Sequence, residues 1–182
     1  MHRKSYILFF TGASGAGKTS LLWALKKKIK KPNVSFIHFD SIDIPNTEDM
    51  VREFGSPSAW QEAKTHEWVD HLILNFKEKD MIFFEGQVNI DYIEAAFKQK
   101  NWHAYDVILV HCQNEERHNR LALSRDQPDL VNSEMDNWSS YLEAQAKQKK
   151  VLILDTTKMT DKESCAWVEE HLANIHCNYK IK

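Results

Sequence analysis

The sequence predicts an α/β fold built on a doubly wound parallel sheet, and three observations carry that expectation. Short, continuous apolar runs alternate along the chain with longer amphipathic stretches. The first apolar run leads into a glycine-rich loop, and that loop leads directly into a helical stretch. The chain has 182 residues, 42% hydrophobic and 27% charged, enough to bury one core without cross-links. A single domain over residues 1–182 is expected.

The elements follow in order. Tyr6–Phe10 is a strand of five apolar residues, suited to burial on both faces. The helix after it, about Thr19–Ile29, ends among Lys26, Lys27 and Lys28, cations that complement a helix C-terminus, and Pro32 follows it. The second strand is Val34–Phe39, and Pro45 lies beyond it. Gly55 and Pro57 bracket a turn, with Ser56 or Ser58 as the cap of a long helix over Ser58–Phe76. Strands at Met81–Phe84, Asp106–His111 and Val151–Leu154 alternate with helices at Ile90–Lys100, Glu115–Ser124, Ser133–Lys147 and Asp161–Asn174. No repeat or low-complexity tract interrupts the pattern.

Composition narrows the function classes. The formal net charge of −2 gives no global basic field for nucleic acid. Cys112, Cys165 and Cys177 are an odd count without a CxxC, which argues against a disulfide framework or a zinc site; Cys112 ends an apolar run and reads as core. Arg3 and Lys4 before Tyr6–Phe10 resemble a leader only superficially, because the apolar run is short and a glycine-rich loop follows at once. No run approaches the ~18 apolar residues of a membrane span. The expected setting is the cytoplasm.

The most informative segment is Gly12-Ala13-Ser14-Gly15-Ala16-Gly17-Lys18-Thr19, with Ser20 next on the helix. It matches GxxxxGK[ST] at every fixed position. Glycines let the backbone wrap a phosphate and aim its N–H groups inward, and the helix N-terminus adds a favourable dipole. Lys18 can reach β- and γ-phosphates, and the Thr19 hydroxyl can ligate Mg²⁺. Three of the chain's five glycines lie in this loop, which argues against a compositional accident.

In a parallel sheet the carboxyl ends of strands line the ligand crevice. Strand two ends at Asp40, whose carboxylate can take a proton from an attacking hydroxyl or cap a turn; Asp43 is a further candidate. Strand three ends at Glu85-Gly86-Gln87, where Glu85 can orient Mg²⁺ directly or through water and Gly86 would let the backbone pass close to a ligand. Past strand four, Arg117 and Arg120 are three apart and share a helix face, with Arg125 beyond. Arginine suits the oxygens of a transferring phosphoryl group, although pairing with Glu115 or Glu116 is the plainer alternative. The loop after strand five, with Asp155 and Thr157, either passes beside the nucleotide base or caps the last helix. Residues 41–76 would build the acceptor pocket, with Phe54, Trp60, Gln61, His66, Glu67, Trp68 and His71 as candidates. Trp60, Lys64, Trp68 and His71 recur at helical spacing, so the two tryptophans also fit a packed helix face.

No DxxG, NKxD or LSGGQ-like segment occurs, so GTPases and ABC-type ATPases are not favoured. The loop, the Asp40-Ser41 pair and the arginines together resemble the P-loop small-molecule kinases related to adenylate kinase, and look like chloramphenicol phosphotransferase and its relatives. Glu85-Gly86 is more similar to uridine kinase and phosphoribulokinase. The resemblance implies a three-layer P-loop NTPase fold with a five-stranded sheet of order 2-3-1-4-5 and a small helical lid, about residues 114–132. It also implies that Asp40 is the base, that Lys18 with Arg117, Arg120 and Arg125 stabilises charge, and that Thr19 with Glu85 organises Mg²⁺. The expected activity is ATP-dependent phosphorylation of a hydroxyl on a metabolite, nucleoside or antibiotic. A phosphate-acceptor nucleotide kinase and an ATP-binding regulator without transfer are the alternatives. The expected partners are ATP and a small-molecule acceptor, with no nucleic acid or membrane, and the chain acts as a monomer or homodimer.

Overall fold

The structure is a computed structural model and describes residues 5–175; Met1–Lys4 and Cys177 lie outside that range. Strands β1 (Tyr6–Thr11), β2 (Val34–His38), β3 (Met81–Glu85), β4 (Tyr105–His111) and β5 (Leu152–Asp155) alternate with helices. The helices are α1 (Lys18–Lys28), α2 (Thr47–Phe54), α3 (Pro57–Asn75), α4 (Ile90–Gln99), α5 (Asn114–Asn119), α6 (Ser133–Lys149) and α7 (Asp161–Ile175). The strands form one parallel sheet in the order β2-β3-β1-β4-β5. Helices α1 and α7 pack together on one side, while α3, α4 and α6 form the other layer, with α2 against α3. The order and the three layers agree with the expectation.

Every residue of β1 and β3 is buried, which explains their unbroken apolar sequences. Phe9 meets Phe84 edge-on at 4.7 Å, and Phe36 stacks on Phe83 at 5.1 Å. Each such side chain contributes roughly 1.5–3 kcal/mol on burial. Cys112 is buried, as its position implies.

Helix starts are specified locally. The Asn46 side chain accepts from the Asp49 N–H, Ser56 from Ala59, Asn89 from Asp91 and Asn132 from Met135. Each cap is worth about 1 kcal/mol, and Pro57 occupies the first turn of α3, where its missing N–H costs nothing.

Two elements differ from the sequence expectation. Helix α2 fills part of the stretch between Pro45 and Gly55. The helix expected over Glu115–Ser124 stops at Asn119 and continues as a π-helical turn over Arg120–Ser124, where Arg125 N–H donates to the Arg120 carbonyl at 3.1 Å. Residues 122–129 beyond are exposed. Among the described residues no helix is long and apolar enough to cross a membrane.

Candidate active site

The site lies at the carboxyl edge of the sheet. Register there is set by β3 between its neighbours: Glu85 pairs with Phe10 on one side and His38 on the other. The loop from Gly12 to Gly17 joins β1 to α1, and at Gly12 no space remains for a Cβ beside the Val110 carbonyl. Lys18 opens α1, and its buried ammonium donates to the Ala13 carbonyl at 3.0 Å, curling across the loop. Burial pulls the Lys18 ammonium below the ordinary lysine range, opposed by the Glu85 and Asp40 carboxylates.

The Thr19 hydroxyl donates to Glu85 Oε1 at 3.2 Å. The two oxygens expected to organise a cation therefore face each other, and they are hard donors of the kind Mg²⁺ prefers. Among the described residues no three His, Cys, Asp or Glu side chains gather as a metal centre, so an ion here would take most of its ligands from phosphate and water. Glu85 is buried, and its Oε1 also lies 2.7 Å from His38 Nδ1. Sequence reasoning missed His38; the signal was its place as the last residue of a parallel strand. Trp23, one helical turn past Thr19, covers the His38 ring at 5.8 Å.

Asp40 sits in a short 3₁₀ turn, Phe39–Ser41, directly after β2. Partial desolvation and the Glu85 charge push its carboxyl above the usual range, with Lys18, His38 and Arg125 pulling the other way. Asp40 thus shares a field with Lys18, Glu85 and Arg125; Asp43, exposed as Asp40 is, lies three residues further along the chain. At Gly86 a Cβ would lie 2.6 Å from Phe39 Cβ, so this glycine makes room for the residue beside Asp40. Gln87 accepts from the Ser14 hydroxyl at 3.0 Å and, through its carbonyl, from Gln61 at 3.0 Å, tying α3 to the loop.

The three arginines separate. Arg125 is exposed and within electrostatic reach of Lys18 and Asp40. Arg120 donates to Glu116 at 2.8 Å and, through its other nitrogens, to Thr156 Oγ1 at 2.9 Å and the Thr156 carbonyl at 2.7 Å. Arg117 corrects the expectation that it shares a face with Arg120 toward the phosphates. It is fully buried beneath the loop, donating to the Ser14 carbonyl at 3.4 Å and paired with Asp136 on α6.

A cleft of about 450 Å³ runs between the loop and residues 120–125, lined among others by Gly17, Thr19, Ser20, Arg120, Arg125 and Thr156. Thr156 also donates to the Ala16 carbonyl at 2.8 Å. Thr157, the expected contact, turns away: its hydroxyl donates to Asp155 and accepts from the Gln113 N–H at 2.9 Å. Its neighbour Thr156 lines the cleft instead. In residues 41–76, the stretch expected to build the acceptor pocket, Trp60 and Trp68 are buried against Phe39, which is the packed-face alternative, and Trp68 also borders a smaller cavity with Ile42, Glu67 and His71.

A parallel sheet in this order, with a glycine-rich loop, lysine and threonine at the first strand–helix junction, defines a P-loop NTPase fold. A model of the KAP family P-loop domain matches residues 1–162, and the chain belongs to that family. No curated protein matches the sequence. Among solved structures, a gluconokinase from Sinorhizobium meliloti is similar at 16% identity, TM-score 0.62, covering 98% of this chain and 97% of its own. A shikimate kinase from Bacteroides thetaiotaomicron is similar at 19% identity, TM-score 0.58, covering 92% and 98%. The APS kinase of Mycobacterium tuberculosis is similar at 11% identity, TM-score 0.56, covering 93% and 98%. At these identities the likeness is one of fold.

Proposed function

We propose that the protein transfers the γ-phosphoryl group of ATP to a hydroxyl of a small molecule. The observation that carries this reading is the convergence at one sheet edge of Lys18, the Thr19–Glu85 pair and Asp40, with the Arg125 charge within electrostatic reach. The names of the structural neighbours support it, since gluconokinase, shikimate kinase and APS kinase are small-molecule kinases.

In this reading residues 1–182 are one kinase domain. The loop N–H groups from Gly12 to Ser20 and Lys18 hold the phosphates. Thr19 and Glu85 hold Mg²⁺, directly or through water. When bound, that ion neutralises charge developing on the phosphate oxygens. The acceptor hydroxyl gives its proton to Asp40, its oxygen bonds to the γ-phosphorus, and ADP leaves. A base with a raised pKa holds that proton better than an ordinary carboxylate. Residues 114–132 act as the lid: Arg125 closes over the transferred group while Arg120 and Thr156 flank the nucleotide. Residues 41–76 form the acceptor side, and the setting is the cytoplasm.

An uncharged hydroxyl acceptor is favoured over a phosphate-bearing one. Arg52 is engaged by Asp49 and Glu53, and Lys64 by Glu67 at 2.7 Å, so the two longest cations of the acceptor region are already paired. The test is ADP release from Mg-ATP across nucleosides, sugars, shikimate-like acids and aminoglycoside or phenicol antibiotics, with Lys18→Ala as control. One acceptor class should stimulate release in the wild type alone. Nucleotide binding without stimulation by any acceptor would favour a regulatory role instead.

A further inference from the structure

We infer that Asp136 is a positioning residue for the phosphate loop, acting through the buried guanidinium of Arg117. The inference rests on the reading of the loop as a nucleotide site. Arg117 is fully buried, and a buried charge is retained only where it is paired and hydrogen-bonded. Its partners come from three places. Asp136, in the first turn of α6, takes Nη2, and Asn114 Oδ1 accepts from the same nitrogen at 3.3 Å. The Ser14 carbonyl, in the middle of the loop, accepts from Nη1 at 3.4 Å. His118 Nε2 lies 2.8 Å from the same Asp136 oxygen, so Asp136 holds two successive residues of α5.

The stem of Arg117 occupies the space a side chain at Gly15 would need. A Cβ there would lie 2.9 Å from Arg117 Cγ and 3.1 Å from its carbonyl. The loop therefore rests on Arg117, and Arg117 is aimed by Asp136. Arg117 and Asp136 also stand on either side of the exposed part of the proposed lid, residues 122–129. Their ion pair ties the two ends of that segment to each other and to the loop. Closure of residues 122–132 is then a hinge motion about a base fixed at Ser14, and the loop keeps its shape while that segment moves.

The experiment compares Asp136→Asn with the double variant Arg117→Met/Asp136→Leu in the full chain. Melting temperature, Mg-ADP affinity by calorimetry and hydrogen exchange of the Gly12–Thr19 amides are read for each. Asp136→Asn leaves a buried cation without its counter-charge, so it should lower the melting temperature, weaken Mg-ADP about tenfold and speed loop exchange. The double variant removes charge and partner together, which is often neutral or stabilising; its melting temperature should recover while weak Mg-ADP binding and fast loop exchange persist. Recovery of affinity and loop protection along with the melting temperature would overturn the inference, because the pair would then be packing alone. If the wild type fails to bind Mg-ADP, the nucleotide reading falls separately. Loop exchange then decides by itself: faster in the double variant supports the positioning role, unchanged refutes it.

Discussion

Replacing Gly15 by alanine should destabilise the protein by an amount that can be divided into two parts. Gly15 has φ +81°, a left-handed conformation that costs an L-residue roughly 1–2 kcal/mol. The new methyl would also lie 2.9 Å from both Arg117 Cγ and Leu121 Cγ. Neither neighbour can retreat, since both side chains are fully buried and Arg117 is held by Asp136 and Ser14. Forcing a methyl into such a site costs a further ~1–3 kcal/mol. Gly55 is an internal control: its φ is +87°, and nothing lies within 4 Å of a Cβ there. Gly55→Ala should therefore lose only the first part, and unfolded-state effects of the two substitutions cancel. At roughly 2–4 °C per kcal/mol for a chain of this size, Gly55→Ala should melt about 2–8 °C below wild type and Gly15→Ala about 4–20 °C below. The assay is thermal unfolding by far-ultraviolet circular dichroism, the three proteins side by side. Equal melting temperatures for the two variants would refute the packing of Arg117 and Leu121 beneath the loop.

Two further outcomes follow from the site. Asp40→Asn should abolish acceptor-dependent ADP release while leaving Mg-ATP affinity close to wild type; unchanged turnover would remove Asp40 as the base. The same variant should be the more stable protein at neutral pH, because a carboxyl raised in the folded state above its ordinary 3.8 disfavours folding once ionised; the advantage should fade as pH falls through the raised value and vanish below 3.8. Gly86→Ala should displace Phe39, whose Cβ is 2.6 Å from the new methyl, and should lower turnover more than nucleotide affinity because Phe39 carries Asp40; equal losses in both would show that the strain spreads to the loop.

Much of the site was legible in the sequence because it depends on fixed local chemistry. The loop could be read from residue types alone, and Asp40 and Glu85 from their place at the ends of apolar runs. What the sequence concealed was direction. Spacing of three puts Arg117 and Arg120 on adjacent parts of a helix, yet it cannot say which part meets solvent and which meets Gly15 and α6. The widening of α5 into a π-helical turn at Arg120 has no local sequence signature. Thr156 and Thr157 are both hydroxyl residues at a strand end, and only the pairing of β5 with β4 decides which faces the cleft. Helix α2 was findable: Asn46 as cap, Glu48 and Asp49 in the first turn and Gly55 in the left-handed conformation at the end are all start and stop signals. Proline and glycine at its borders have the sequence signature of turn punctuation, although here they delimit a helix.

The sheet order has a consequence for how the molecule is made. The strand synthesised first occupies the centre, and its two neighbours begin only at residues 81 and 105. At roughly 5–20 residues per second, several seconds separate the emergence of Tyr6–Thr11 from that of its first neighbour. During that interval six residues destined for complete burial have nothing to pair with, and the loop they deliver lacks both Glu85 and the arginine it rests on. The loop edge of the sheet is therefore complete only after Arg117 has emerged, and until β3 docks the apolar run of β1 stays unpaired on that side.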